Sequence, residues 1–293
     1  MNRLLIRADR LLDPANGIDA RLDLAIADGR VAALGTGLDF NADRIIDATG
    51  LVVCPGLIDL RARLREPGAE HKADIASETR AAARAGITTL VCPPDTDPVI
   101  DEPAVVELIR HRAEAVAGTE VLTLGALTRG LAGEQLTEMA ALKEAGCVGV
   151  SNAGRPLTDT RVLHRALAYA ATFDLTVFVD PQDPALSNGC VHAGPLAARL
   201  GLTEVPVAAE TGIMALLLEL VHELGVRVHF ATLSSGRAVT LLRRARDEGL
   251  PVTAAVAAHH LVFCTDDIDR FDSRLHVEPP LRAANDRDAL RLA

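Results

Sequence analysis

The stretch Pro55-Gly56-Leu57-Ile58-Asp59-Leu60-Arg61-Ala62-Arg63-Leu64-Arg65-Glu66-Pro67-Gly68 marks where this chain changes texture. Before it, short alternating runs such as Leu22-Asp23-Leu24-Ala25-Ile26 and Arg30-Val31-Ala32-Ala33-Leu34 are separated by Asp13-Pro14-Ala15-Asn16-Gly17 and Asp28-Gly29. Period-two runs between turn residues predict a small all-β unit over residues 1–53, with a further strand at Arg44-Ile45-Ile46-Asp47. From residue 54 onward the pattern becomes strand, loop, helix, repeated. Short apolar strands are expected near 57–60, 87–92, 120–125, 147–151, 175–180, 226–230 and 252–256. Helices are expected at 74–85, 102–117, 134–145, 158–173, 209–224 and 234–248. Strands alternating with helices at this spacing imply parallel βαβ units. Seven such units favour a (β/α)8 barrel over the alternative, an open doubly wound sheet. The expected architecture is an α/β barrel domain over 54–293 behind a small β-sandwich domain over 1–53. A barrel of this kind typically needs about 250 residues, and the eighth strand region is missing or unrecognised. The closing run Asp286–Ala293 reads as a helix stopped midway, so the barrel looks short at its C-terminal side.

Composition narrows the function classes. Of 293 residues, 49% are apolar but only 2% are aromatic, and Trp is absent. The core must therefore come from Ala, Leu, Val and Ile, which suits a layered α/β protein. The formal net charge of −10 argues against nucleic acid as a partner, since phosphate binding needs a basic face. The five cysteines (Cys54, Cys92, Cys147, Cys190 and Cys264) are unpaired by spacing and odd in number, which fits a reducing compartment. The N-terminus reaches Arg3 too soon for a secretory signal, and no run approaches the roughly 18 apolar residues of a membrane span. The expected location is the cytoplasm.

The opening stretch resembles the first-strand signature of the dihydroorotase and allantoinase branch of the amidohydrolase superfamily, in which His-x-His stands where this chain has Arg61-Ala62-Arg63. Other segments resemble family motifs in the same order. They are Val91–Pro98, Ser151-Asn152-Ala153-Gly154, Val179-Asp180-Pro181-Gln182-Asp183, Ala231-Thr232-Leu233-Ser234-Ser235-Gly236, Ala258-His259-His260-Leu261 and Val277-Glu278-Pro279-Pro280-Leu281-Arg282. The resemblance spans nearly the whole chain. It implies an amidohydrolase-type TIM barrel with a small β-sandwich made from both chain ends. It also implies an ancestral reaction, the zinc-dependent ring opening of a cyclic amide such as dihydroorotate.

By that resemblance the metal-ligand positions are Arg61, Arg63, Asn152, Asp180 and Ala231, and every one departs from the family pattern. A guanidinium has no lone pair to offer and stays charged, so neither arginine can bind zinc. Ala231 has no donor, and a carboxylate at Asp180 alone cannot satisfy an ion that takes three or four ligands. The substrate positions are Arg65, which matches the family, together with Asp95, His259 and Glu278. Two acidic groups replacing asparagines would repel an anionic substrate. No zinc and no other cofactor is therefore expected.

The arginines at 61, 63 and 65 follow a period-two stripe and should point one way, where they need counter-charges. Asp95, Asp180 and Glu278 are expected to supply them. His259 and His260 are adjacent and would face opposite sides of a strand, with one or both as hydrogen-bonded structural residues. His229 is expected to be a satisfied histidine of the barrel. The leading functional expectation is an inactive dihydroorotase homologue of pyrimidine biosynthesis. The resemblance suggests aspartate transcarbamoylase catalytic chains as its partner, or self-association, with no nucleic acid and no membrane. One alternative is an active cyclic-amide hydrolase with an unusual or metal-free site, although no Ser-His or Cys-His constellation supports it. A degenerate product with little function is the third reading.

Overall fold

The computed structural model describes residues 3–116, 118–268 and 271–293. Met1 and Asn2 of the polar N-terminus, and Ala117, expected at a helix end, lie outside the described residues. The chain divides into two compact units, Met1–Leu57 and Ile58–Ala293.

The smaller unit holds β1 (Arg3–Asp13), β2 (Ile18–Ala20), β3 (Asp23–Ala27), β4 (Arg30–Gly35) and β5 (Arg44–Val53). They form one sheet in the order β2-β1-β3-β4, with β5 running parallel to β1 on its other side. Leu5, Ala8 and Leu11 are the buried residues of β1. The β3–β4 turn is Asp28-Gly29, with φ of 53° and 74°. Both residues lie in the left-handed region that a two-residue hairpin matching the strand twist requires.

The larger unit begins with β6 (Leu57–Asp59) and continues through α1 (Ile75–Arg84), β7 (Ile87–Cys92), α2 (Pro103–Glu114), β8 (Glu120–Ala126), α3 (Met139–Glu144) and β9 (Gly149–Ser151). It then runs through α4 (Thr160–Thr172), β10 (Val177–Val179), a small β11 (Val191–His192), α5 (Pro195–Leu200), β12 (Glu204–Val205) and α6 (Ala208–Leu224). The last elements are β13 (Val228–Phe230), α7 (Gly236–Asp247), β14 (Val252–Ala254), α8 (Ala258–Val262) and α9 (Ala284–Arg291). Among the described residues the main sheet has the order β14-β13-β10-β9-β8-β7-β6. The registers from β7 to β14 are parallel. This is the βαβ succession expected from the sequence, laid out as barrel strands one to seven. Strands β6 and β14 are its two ends.

Local chemistry sets the helix bounds. Asp74 caps α1 by accepting from Ser77 N at 2.7 Å, while Asp74 N donates back to Ser77 Oγ at 3.1 Å, a reciprocal capping box. Ser235 caps α7 through Ala238 N. Helix α6 stops at Gly225, whose φ of 64° needs no Cβ. Two apolar clusters hold the layers together. In the larger, Val150, Val177, Val228 and Val252 of the sheet pack against Leu163 and Leu167 of α4, Leu217 of α6 and Val239 of α7. In the smaller, Leu90 and Cys92 of β7 pack against Ile75 of α1 and Val106 and Ile109 of α2. Each fully buried Leu, Ile or Phe contributes roughly 1.5–3 kcal/mol. No described helix is long and apolar enough to cross a membrane.

Candidate functional site

The carboxyl ends of parallel strands are where a barrel displays its chemistry. Here Arg61 follows β6, Asp95 follows β7, Asn152 follows β9, Asp180 follows β10, and Ala231 and Thr232 follow β13. Arg61 Nη1 donates to Asp180 Oδ1 at 2.5 Å and to Thr232 Oγ1 at 3.0 Å. In a flat sheet, β6 and β10 would be four strand spacings apart, roughly 19 Å. One guanidinium cannot span that distance, so the sheet must curl until strand one faces strands five and six. Arg63 Nε donates to Asp95 Oδ2 at 2.6 Å.

Asp180 sits in the field of four charged neighbours. Burial pushes its pKa up, the pull of Arg61 and Arg63 opposes that, and the repulsion of Glu278 and Asp95 adds to it. Desolvation is the largest of these influences, so the ion pair does not fully offset what burial costs the carboxylate. Gly154 lies beside the pair, and its φ of 75° is the left-handed conformation that favours glycine.

The remaining predicted positions are dispersed. Asn152 is buried and committed at both ends: its Oδ1 accepts from Thr128 Oγ1 at 2.9 Å, and its Nδ2 donates to Arg155 O at 2.8 Å. Ala231 offers only its backbone, whose N–H donates to Val179 O. Three expectations need correction. The expected stripe of arginines does not form, because β6 ends at Asp59 and Arg65 is exposed with φ 66°, which turns it out of any strand alternation. Glu278 is exposed and pairs with no arginine among the described residues, so it influences Asp180 only through space. His259 and His260 lie on the short helix α8 with ring centroids 4.4 Å apart, rather than on opposite faces of a strand. His260 Nε2 meets Pro279 O at 3.1 Å, and burial pushes its pKa down to about 4. His259 Nε2 is buried without a partner among the described residues, and burial lowers its pKa too. His229 faces Thr253 Oγ1 through Nδ1 at 2.8 Å, as a structural histidine would, although its Nε2 finds no partner among the described residues.

Zinc, which the family resemblance implies, does not fit this donor set. Two guanidiniums, an amide already hydrogen-bonded at both ends, a methyl group and one arginine-bound carboxylate occupy the ligand positions. No group of three or more His, Cys, Asp or Glu suited to a metal gathers among the described residues. Two of the cysteines are poor nucleophiles as well. Burial pushes the Cys92 thiol up to about 12 and the Cys147 thiol up to about 11, which keeps both protonated.

Sequence reading missed two features. Thr232, adjacent to Ala231, is the second acceptor for Arg61, and its φ of 60° holds it there. The other is a buried polar network. Glu210, 2% exposed, accepts from Ser234 N at 2.6 Å and Ser234 Oγ at 3.2 Å through Oε1, and from Ser235 Oγ at 2.5 Å through Oε2. Arg282, equally buried, donates to Ser234 Oγ at 3.1 Å and to Val205 O at 2.7 Å, and approaches His192 Nδ1 at 3.2 Å. An acid in the first turn of α6, ahead of its apolar run, was the available signal.

The fold and the strand-end site define an amidohydrolase-type barrel. The chain matches the Dihydro-orotase-like family over residues 50–237, and it belongs to that family. It is 48% identical over 286 residues to a dihydroorotase-like protein of Pseudomonas putida, a match covering 97% of this chain and 68% of that protein. It is 40% identical over 290 residues to a dihydroorotase of Syntrophotalea carbinolica, covering 99% and 68%. Among solved structures, the L-hydantoinase (dihydropyrimidinase) from Arthrobacter aurescens superposes with a TM-score of 0.82 at 23% identity, over 99% of this chain and 66% of that one. That likeness shows the shared fold. The chain spans about two thirds of the length of these relatives.

Proposed function

We propose that this chain is a non-hydrolysing member of the dihydroorotase-like family. In this reading it serves pyrimidine biosynthesis as a structural or regulatory partner of aspartate transcarbamoylase catalytic chains. The observation that carries the loss of hydrolysis is the Arg61–Asp180 ion pair, in which one former ligand position neutralises another. A metal-bound hydroxide would need lone pairs where Arg61 and Arg63 present N–H donors and positive charge. The site is thus held together by charge pairing instead of by an ion. The partner assignment rests on the family resemblance alone, and self-association is the other outcome of its test.

Two measurements test these claims. Purified protein is analysed for zinc and assayed with dihydroorotate and with carbamoyl aspartate. The expected result is no stoichiometric zinc and no turnover in either direction. Turnover with bound zinc overturns the reading, and turnover without zinc replaces it with a metal-free cyclic-amide hydrolase. Size-exclusion chromatography with aspartate transcarbamoylase should give one co-eluting species, whereas two independent peaks remove the partner assignment.

A further inference from the structure

Between β10 and α6 the chain leaves the barrel sheet and returns to it. Residues 188–205 of this excursion carry β11, α5 and β12 and bond chiefly to one another. Strands β11 and β12 pair in parallel, Cys190 N donates to Thr203 O at 2.9 Å, and Ala193 N donates to Val205 O at 3.2 Å. Val191, Ala197 and Val205 are buried, yet none belongs to the apolar clusters of the barrel. Among the described residues, the hydrogen bonds that tie this strap to the rest of the chain run through Arg282. Its Nη1 donates to Val205 O at 2.7 Å and to His192 Nδ1 at 3.2 Å.

The bond to His192 fixes the protonation of its ring. A guanidinium only donates and stays charged, so Nδ1 must offer its lone pair and the neutral ring carries its proton on Nε2. A proton on Nδ1 removes that acceptor and sets two cations 3.2 Å apart. The charges around the ring do not rescue it. Asp286 of α9 and Glu204 of β12 favour the protonated form, but burial and the repulsion of Arg282 outweigh them and hold the pKa of His192 below its ordinary value. Asp286 already accepts from Gly236 N at 2.9 Å, and Glu210 acts on Arg282 from α6. Arg199 of α5 and the exposed Asp266 share an open cleft with His192, through which protons reach the ring from solvent. We propose that His192 is an acid-sensitive latch: while neutral it holds the strap 188–205 on Arg282, and when it takes up a proton the strap lets go of the barrel. The barrel clusters stay intact on release, because the strap shares none of them. The latch works in the same way whether or not the strand-end site hydrolyses anything.

The sign follows from the bond. A released ring titrates near the ordinary 6.5, so docking is fully held above that pH and weakens below it. At pH 5 the released population can grow by at most about 30-fold. The test is hydrogen exchange on the full chain at pH 7.5 and pH 5.0, with each rate divided by the intrinsic rate at that pH. Protection of peptides within 188–205 should fall about five- to thirtyfold further than that of α4 on acidification. His192→Asn keeps an acceptor oxygen near the position of Nδ1 and takes up no proton, so its strap should lose no more protection than α4 does. His192→Gln serves the same purpose if the asparagine variant loses its far-ultraviolet circular dichroism. His192→Lys carries a permanent cation and should show the acid level of strap exchange already at pH 7.5. A wild-type strap whose protection follows α4 at both pH values overturns the latch. A folded His192→Asn or His192→Gln that keeps the full acid loss overturns His192 as its trigger.

Discussion

Two charged clusters lie in the barrel unit, and they are built on opposite terms. Around Glu210 and Arg282 the contacts are buried, apart from the half-buried one to His192 of β11; several hydrogen bonds reach each charged group, and the other partners come from α6, the β13–α7 junction, β12 and the segment before α9. At the strand ends, Arg61 and Arg63 each reach one carboxylate through a single nitrogen, with side chains 30% and 37% exposed. A buried charge that loses its partner is left uncompensated, whereas a half-exposed one recruits water. The barrel frame therefore depends on the first cluster. The second neutralises the site without bracing the fold, so the changes at the ligand positions cost the frame little.

The largest expected effect follows directly. Glu210→Ala removes the acceptor of three hydrogen bonds and one of the two carboxylates, with Asp286, that act on the buried Arg282 charge, so it should lower unfolding stability by about 3–5 kcal/mol in urea titration. A loss below about 1 kcal/mol would show that the buried cluster is not what holds the frame. Next comes a pH effect from His260, which packs near Arg282. Its folded pKa is pushed down to about 4 from an ordinary 6.5, so the folded state prefers it neutral. The unfolded chain binds the extra proton first on acidification. Stability contributed by the neutral ring is thus fully present above pH 6.5 and is lost as pH falls through that window towards about 4, by an amount of order 3 kcal/mol. His260→Gln keeps a donor for Pro279 O and should flatten that slope. An unchanged slope in the variant would remove His260 as its source.

Much of this frame was legible in the sequence, and the reasons are local. The seven barrel strands and most of the helices between them fall where periodicity and caps place them, since Asp74, Ser77 and Ser235 act through neighbours three residues away, but the helix expected from 134 begins at Met139 and the short α5 was not expected. Bounds drifted where a helix end intrudes. The strand expected from residue 147 begins at Gly149, because Cys147 N is taken by Leu142 O at the close of α3. The sequence names Asp95 and Asp180 as counter-charges for the arginines, because the motifs place them at strand ends, but it does not say which arginine each one meets. What failed was anything set by a single backbone angle or by long-range packing. Nothing local announces that Arg65 adopts φ 66°, or that the histidine pair belongs to a helix. The serines paired to Glu210 lie 24 and 25 residues away on a different element, and no spacing rule connects them.

The strand-end pairs provide the sharpest contrast, because their predicted effects are small despite short contacts. Asp180→Asn removes the charge from the 2.5 Å contact with Arg61 while keeping an acceptor oxygen, and burial already disfavours the charged carboxylate more than Arg61 favours it. The variant should therefore change stability by no more than about 1 kcal/mol in either direction. The pH sign is opposite to that of His260. A folded pKa raised above the unfolded value means the Asp180 contribution is fully present below the ordinary carboxylate range and is lost as pH rises through the folded pKa. Smallest of all should be Asp95→Asn, which frees the more exposed Arg63 and should cost less than about 0.5 kcal/mol at 0.15 M salt. That difference should shrink further at 1 M salt, where the screening length falls to about 3 Å. If Asp95→Asn instead cost several kcal/mol, and salt did not diminish it, the strand-end arginines would be bracing the barrel as Glu210 does, and the division between frame and site drawn from these two clusters would fail.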